Sequence, residues 1–197
     1  LPDGRICFVV ADVTGHGMEA AVPTMVFSGL LGNQIGYSNS PQHLYGKLNQ
    51  SLYKLLGKRT FICFAMGELD VDERRMRLCN SGCPYPYHYN HETDTVSEIC
   101  LDALPLGLRK NTSYEVFETT LGHGDRIVLC SDGIVEASDS HGEVFGFERT
   151  AEAIRTACHA GLGARALIKH IFEASDEFSQ HREREDDQTM VVLHATF

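Results

Sequence analysis

No apolar run in this chain approaches the roughly 20 residues that a membrane-spanning helix needs. The N-terminus, Leu1-Pro2-Asp3-Gly4, carries neither a basic region nor a signal-type apolar stretch. It also lacks an initiating Met, so the chain is expected to be a piece of a longer polypeptide. Basic residues are scarce. Lys and Arg number 17 against 27 Asp and Glu, a formal charge of −10, which argues against a uniform basic face for nucleic acid. The seven cysteines are an odd number and do not read as a disulfide framework. Cys7, Cys63, Cys100 and Cys130 lie inside apolar, strand-like runs and read as small buried residues in a reducing, cytoplasmic compartment. No internal repeat and no low-complexity linker interrupts the chain. Its 197 residues, 43% of them hydrophobic, suit a single domain with a substantial core.

Against these absences stand three aspartate-bearing segments: Ala11-Asp12-Val13-Thr14-Gly15-His16-Gly17, Ser131-Asp132-Gly133 and Glu185-Asp186-Asp187-Gln188-Thr189. Asp12 follows Ile6-Cys7-Phe8-Val9-Val10, Asp132 follows Arg126-Ile127-Val128-Leu129-Cys130, and Asp186 precedes Met190-Val191-Val192-Leu193. Carboxylates at the ends of neighbouring strands can converge on one point. Like charges so placed repel unless cations neutralise them, and hard oxygen ligands suit Mg²⁺ or Mn²⁺.

The hydrophobic period assigns the elements. Residues 5–12 read as a fully buried strand. A helix over 18–32 has Ala20, Ala21, Met25, Val26, Leu30 and Leu31 on its apolar stripe, with Pro23 in the first two turns, where proline does least damage. A second helix over 41–56 repeats Leu44, Leu48, Leu52 and Leu55, with Ser40 as its N-cap. Short strands follow at 60–69, 74–80, 85–90, 95–101, 114–120 and 125–131, then helices at 147–160 and 164–177, a charged loop at 179–185 and a last strand at 190–195. Hairpin-joined strands with helices grouped before and after them predict an α+β fold: two mainly antiparallel sheets flanked by helix pairs.

Taken in order, Ala11–Gly17, the two helices after it, Asn80-Ser81-Gly82, Leu104-Pro105-Leu106-Gly107, Gly124–Gly133 and Asp186–Thr189 resemble the PPM family of metal-dependent Ser/Thr protein phosphatases, in the bacterial branch that includes SpoIIE and RsbU. The resemblance covers essentially the whole chain. It implies an αββα sandwich with a binuclear Mn²⁺ or Mg²⁺ centre. In that centre Asp12 would bridge the metals, the Val13 carbonyl would bind one of them, and Asp132 and Asp186 would be terminal ligands of the other. Asp187 is the alternative to Asp186, and Gly133 would let the backbone pass close by. The implied reaction is attack of a metal-activated water on a phosphoserine or phosphothreonine, with no covalent phosphoenzyme. The implied substrate is a regulatory protein of the anti-sigma-factor antagonist type. An upstream sensory or receiver domain would control the two early helices.

The chain departs from that pattern in two places. The family's upstream Gly-Asp strand is missing before Leu1. That predicts an N-terminally truncated domain, an incomplete metal site, and a homodimer or swap through the edge beside residues 5–12. A non-catalytic regulatory module of the same fold is the competing reading. Cys83 stands where the branch commonly has His, and no catalytic role is assigned to it. His16 is read as steadying the glycine turn. A zinc site at Cys79, Cys83, His88 and His91 lacks the usual knuckle spacing. Thr14-Gly15-His16-Gly17 lacks the Walker Lys of a nucleotide loop. Arg182 or Arg184 could touch substrate phosphate, within an otherwise solvated charge run.

Overall fold

A computed structural model describes residues 1–15, 17–38, 40–57, 60–180, 184 and 186–197. Along the chain come β1 (Ile6–Val13), α1 (Met18–Gln34), a 3-10 turn (Ile35–Tyr37), α2 (Pro41–Leu55), β2 (Ile62–Asp70), β3 (Arg75–Ser81), β4 (Tyr87–Asn90) and β5 (Thr95–Glu98). They are followed by β6 (Phe117–Thr120), β7 (Arg126–Cys130), α3 (Asp132–Val135), α4 (Gly146–His159), α5 (Ala164–Phe178) and β8 (Met190–His194). The chain is α+β, and every strand pairing within its two sheets is antiparallel. Two compact units share it: Leu1–Cys83 with Leu101–Thr120, and Pro84–Cys100 with Leu121–Phe197.

The first unit holds the sheet β1-β2-β3-β6. Helix α2 starts where Ser40 caps it, its side chain accepting a hydrogen bond from the His43 N–H at 3.3 Å, with Pro41 pre-set for the first turn. Its face Leu44, Tyr45, Leu48 and Leu52 is fully buried against Ile62, Phe64, Met66 and Cys79. The Tyr45 hydroxyl donates to the carbonyls of Phe64 (3.1 Å) and Cys79 (2.8 Å), tying the helix to β2 and β3.

Helix α1 is less embedded. Only Pro23 and Phe27 are buried, while Val26, Leu30 and Leu31 are partly covered. Met25, expected on the apolar stripe, is 68% exposed; the helix docks through Phe27, which turns Met25 outward. The expected full burial of the first strand also fails. In β1 only Val10 is buried, because among the described residues the strand pairs with β2 alone and forms the sheet's edge.

The second unit holds the sheet β5-β4-β7-β8. All five residues of β7 are buried. Val128 and Cys130, with Tyr87 and Tyr89 of β4, pack against Ile154, Ala157, Leu167 and Ile171 of α4 and α5. The amphipathic period placed those two helices to within a residue of their observed bounds. Asp125, just before β7, is buried and accepts from the amides of Gly122 (3.0 Å) and His91 (2.9 Å), with the His88 ring 3.0 Å away. Cys100, expected inside a strand, is exposed because β5 ends at Glu98. The turn α3 was not foreseen. Among the described residues no helix is long and apolar enough to cross a membrane.

Candidate metal centre

The β7–β8 ladder runs to Cys130 and Met190, and beyond it the chain is held by side chains as well as backbone. The Ser131 amide donates to the Thr189 carbonyl at 2.9 Å. In return the Thr189 amide donates to the Ser131 hydroxyl at 2.9 Å, and that hydroxyl donates to the Asp187 carbonyl at 3.0 Å. The Gln188 side-chain amide donates to the Gly133 carbonyl at 3.1 Å. Residues 186–189 therefore lie tight against the turn at 131–133. A Cβ on Gly133 would come within 2.4 Å of the Asp187 carbonyl oxygen, so no other residue fits there without a shift.

This packing brings a carboxylate oxygen of Asp132 within 4.8 Å of one of Asp186. Asp187 reaches the turn through its backbone carbonyl. Asp186 is exposed and accepts from the Asp187 amide at 2.7 Å, whereas Asp132 is half-buried. Asp132 Oδ1 is buried without a hydrogen-bond partner among the described residues. A buried carboxylate oxygen left so is costly unless a cation meets it. The carboxyl of Glu136, one turn on, is raised above its ordinary value by burial first and then by the charges of Asp132 and Asp186. Three carboxylates thus share one field, with hard oxygen donors that fit Mg²⁺ or Mn²⁺ and not a soft metal.

Asp12 and Val13 are the last two residues of β1, opposite Cys63 and Ile62 of β2. Thr14 pins that strand end. Its amide and hydroxyl both donate to the Phe61 carbonyl (3.2 and 2.6 Å), and its hydroxyl accepts from the Phe61 amide at 2.8 Å. Sequence reasoning named Asp12, Val13, Asp132 and Asp186 but missed what Thr14, Ser131 and Gln188 do. The available signal was a hydroxyl or amide side chain beside each aspartate.

Two buried thiols, Cys79 and Cys130, are poor nucleophiles. Burial and the nearby charge of Asp132 push Cys130 up to about 12, and burial pushes Cys79 to about 12. Cys83 is buried and closes a turn with Asn80, whose side chain accepts from its amide (3.2 Å) and donates to its carbonyl (2.9 Å). Neither observation suits a zinc ligand, and the His88 ring is engaged by Asp125. Arg184 is paired with Asp176 at 2.8 Å. His16 and Arg182 lie outside the described residues.

The family described as Stage II sporulation protein E (SpoIIE) matches residues 2–196. The chain belongs to the SpoIIE family. It is 24% identical over 191 residues to the phosphoserine phosphatase RsbU of Bacillus subtilis (strain 168), covering 95% of this chain and 55% of that protein. The chain thus spans about half the length of that family relative. Among solved structures, the SiaA-PP2C domain of Pseudomonas aeruginosa superposes with a TM-score of 0.82 at 20% identity, over 96% of this chain and 79% of that one. RsbX in complex with magnesium gives 0.69 at 15% identity, over 96% of this chain and 81% of that one. The two antiparallel sheets and their helices are the PP2C fold, as the resemblance implied.

Proposed function

We propose that this chain is the catalytic part of a metal-dependent protein phosphatase, hydrolysing phosphoserine or phosphothreonine on a regulatory protein. The observation that carries the reading is the buried Asp132 Oδ1 beside Asp186, without a hydrogen-bond partner among the described residues. Membership of the SpoIIE family, with a phosphoserine phosphatase among its relatives, supports it.

In this reading Asp132 and Asp186 would hold a divalent cation, with Asp12 and the Val13 carbonyl as the further ligands that the family resemblance implies. Mg²⁺ and Mn²⁺ both suit these donors; the complex of RsbX with magnesium supports the former. When bound, the cations supply an activated water and offset the charge of the transferring phosphoryl group. The work of the chain's own residues is to hold the carboxylates at fixed spacing. Thr14 steadies the end of β1, and the contacts around Ser131 steady Asp132 against Asp186. No thiol is needed as nucleophile.

The family resemblance implies an anti-sigma-factor antagonist as substrate, a cytoplasmic setting, and a sensory or receiver domain as partner in the parent protein. The open edge of β1 suits pairing with a further strand, from the parent protein or from a second copy in a homodimer. The alternative reading is a non-catalytic regulatory module of the same fold with an incomplete metal site.

Hydrolysis of an aryl phosphate and of a phosphoserine peptide, with and without Mn²⁺, separates the two readings. Mn²⁺-dependent turnover that is lost in Asp12→Ala and Asp132→Ala is the expected result. Equal turnover in both variants and the parent chain overturns the mechanism. No turnover in the chain or in its full-length parent favours the regulatory module.

A further inference from the structure

We infer that Ser131 and Gln188 are positioning residues of this centre: together they set the register of residues 186–189 on the turn at 131–133, and with it the spacing of Asp132 and Asp186. The metal side of this inference rests on the proposed function; the clamp itself does not.

The Ser131 hydroxyl is used twice. It accepts from the Thr189 amide and donates to the Asp187 carbonyl, so one side chain brackets Gln188 from both sides. The bracket aims the Gln188 side chain inward. Its amide nitrogen donates to the Gly133 carbonyl at 3.1 Å and to the hydroxyl of Ser175 at 3.4 Å. Ser175 is fully buried in α5, so the segment is tied to the helix layer as well as to the turn. The amide orientation is dictated by these partners: the flipped amide would set its oxygen against the Gly133 carbonyl, acceptor to acceptor. Gln188 Oε1 is buried with no partner among the described residues, so the hold depends on the donor nitrogen alone.

The clamp acts where the sheet stops. The β7–β8 ladder ends at Cys130 and Met190, and Asp186 lies four residues beyond Met190 on an exposed segment. Without the Ser131 and Gln188 contacts, repulsion between two carboxylates within 4.8 Å would drive that segment away from Asp132. With them, the pair is held at spacing for a cation before any cation arrives. Residues that orient metal ligands in this way typically contribute roughly 10- to 100-fold in metal affinity or activity.

The experiment uses the chain with Ser131→Ala, Ser131→Thr, Gln188→Ala and Gln188→Glu, each checked for an unaltered thermal transition. Amide hydrogen exchange on metal-free protein reads the clamp. Mn²⁺ titration followed by electron paramagnetic resonance reads the positioning. Ser131→Ala and Gln188→Glu are expected to speed exchange at 187–189 relative to β7. They are also expected to weaken Mn²⁺ binding by roughly 10-fold or more, with Ser131→Thr restoring both. Unchanged exchange in both variants overturns the clamp. Faster exchange with unchanged Mn²⁺ affinity overturns the positioning role. A parent chain that binds no Mn²⁺ refutes the metal reading instead, and the exchange measurement then decides the clamp alone. Gln188→Ala keeps the decision open should a buried glutamate prevent folding.

Discussion

Arg126 and His194 stand opposite each other across the β7–β8 ladder, at the far end of those strands from Asp132 and Asp186. Burial first, and then the positive charges of Arg126, His123 and His91, hold the His194 imidazole below its ordinary value of 6.5. The unfolded chain therefore takes up this proton at a higher pH than the folded chain. Stability from keeping His194 neutral is present in full above 6.5 and is lost as pH falls from there towards the folded value. Urea titrations in chelator between pH 7.5 and 5 are expected to give a declining midpoint, with a shallower decline in His194→Gln. Parallel profiles would mean that His194 does not set the slope.

Tyr45→Phe removes a hydroxyl that donates to two buried backbone carbonyls, those of Phe64 and Cys79. The ring still packs on Phe64, with centroids 4.8 Å apart, so the loss is confined to hydrogen bonding. The Phe64 carbonyl keeps the Ser81 hydroxyl as a donor at 3.1 Å, so equilibrium unfolding should show destabilisation of about 0.5–1.5 kcal/mol, the usual net contribution of a hydrogen bond. Mn²⁺-dependent hydrolysis below the transition should be unchanged.

Gly133→Ala sets a Cβ within 2.4 Å of the Asp187 carbonyl oxygen, a backbone atom with little freedom to move. The segment carrying Asp186 must shift by a fraction of an ångström or more. A displacement of about 1 Å at a reacting centre can lower turnover by roughly 100-fold. The expected result is a loss of that order in kcat with an unaltered circular dichroism spectrum. Full activity would show that the segment yields without cost.

Asp132→Asn relieves repulsion with Asp186 while removing a candidate cation ligand. In chelator the variant is expected to melt about 2–4 °C above the parent chain, as a gain of about 1 kcal/mol would produce. In Mn²⁺ the order should reverse, because only the parent chain gains stability from the ion. A variant that melts lower in both conditions would mean that Asp132 is a structural carboxylate.

Much of the fold was legible because it rests on local patterns. The spacing of Leu44, Leu48 and Leu52 marks α2, Ser40 marks its start, and the uniform apolar run before Asp132 marks β7. The aspartate segments were equally visible, since each adjoins such a run. Less visible were the features that depend on a partner distant in sequence. Met25 has the right residue type and roughly the right phase for a buried stripe, yet Phe27 takes the docking position. Ser131 and Gln188 look like ordinary turn residues until 186–189 is laid beside 131–133.

By itself, then, the sequence determined the types of the longer elements, the antiparallel α+β class and the three aspartate segments, because side-chain period and turn chemistry act over a few residues. Only the tertiary structure decided that β1 is an edge strand, that α1 leaves Met25 in solvent, and that Asp186 brings its carboxylate to Asp132 while Asp187 brings its carbonyl. Those outcomes depend on long-range pairing and on where each backbone runs, and a one-residue change in either would exchange the faces.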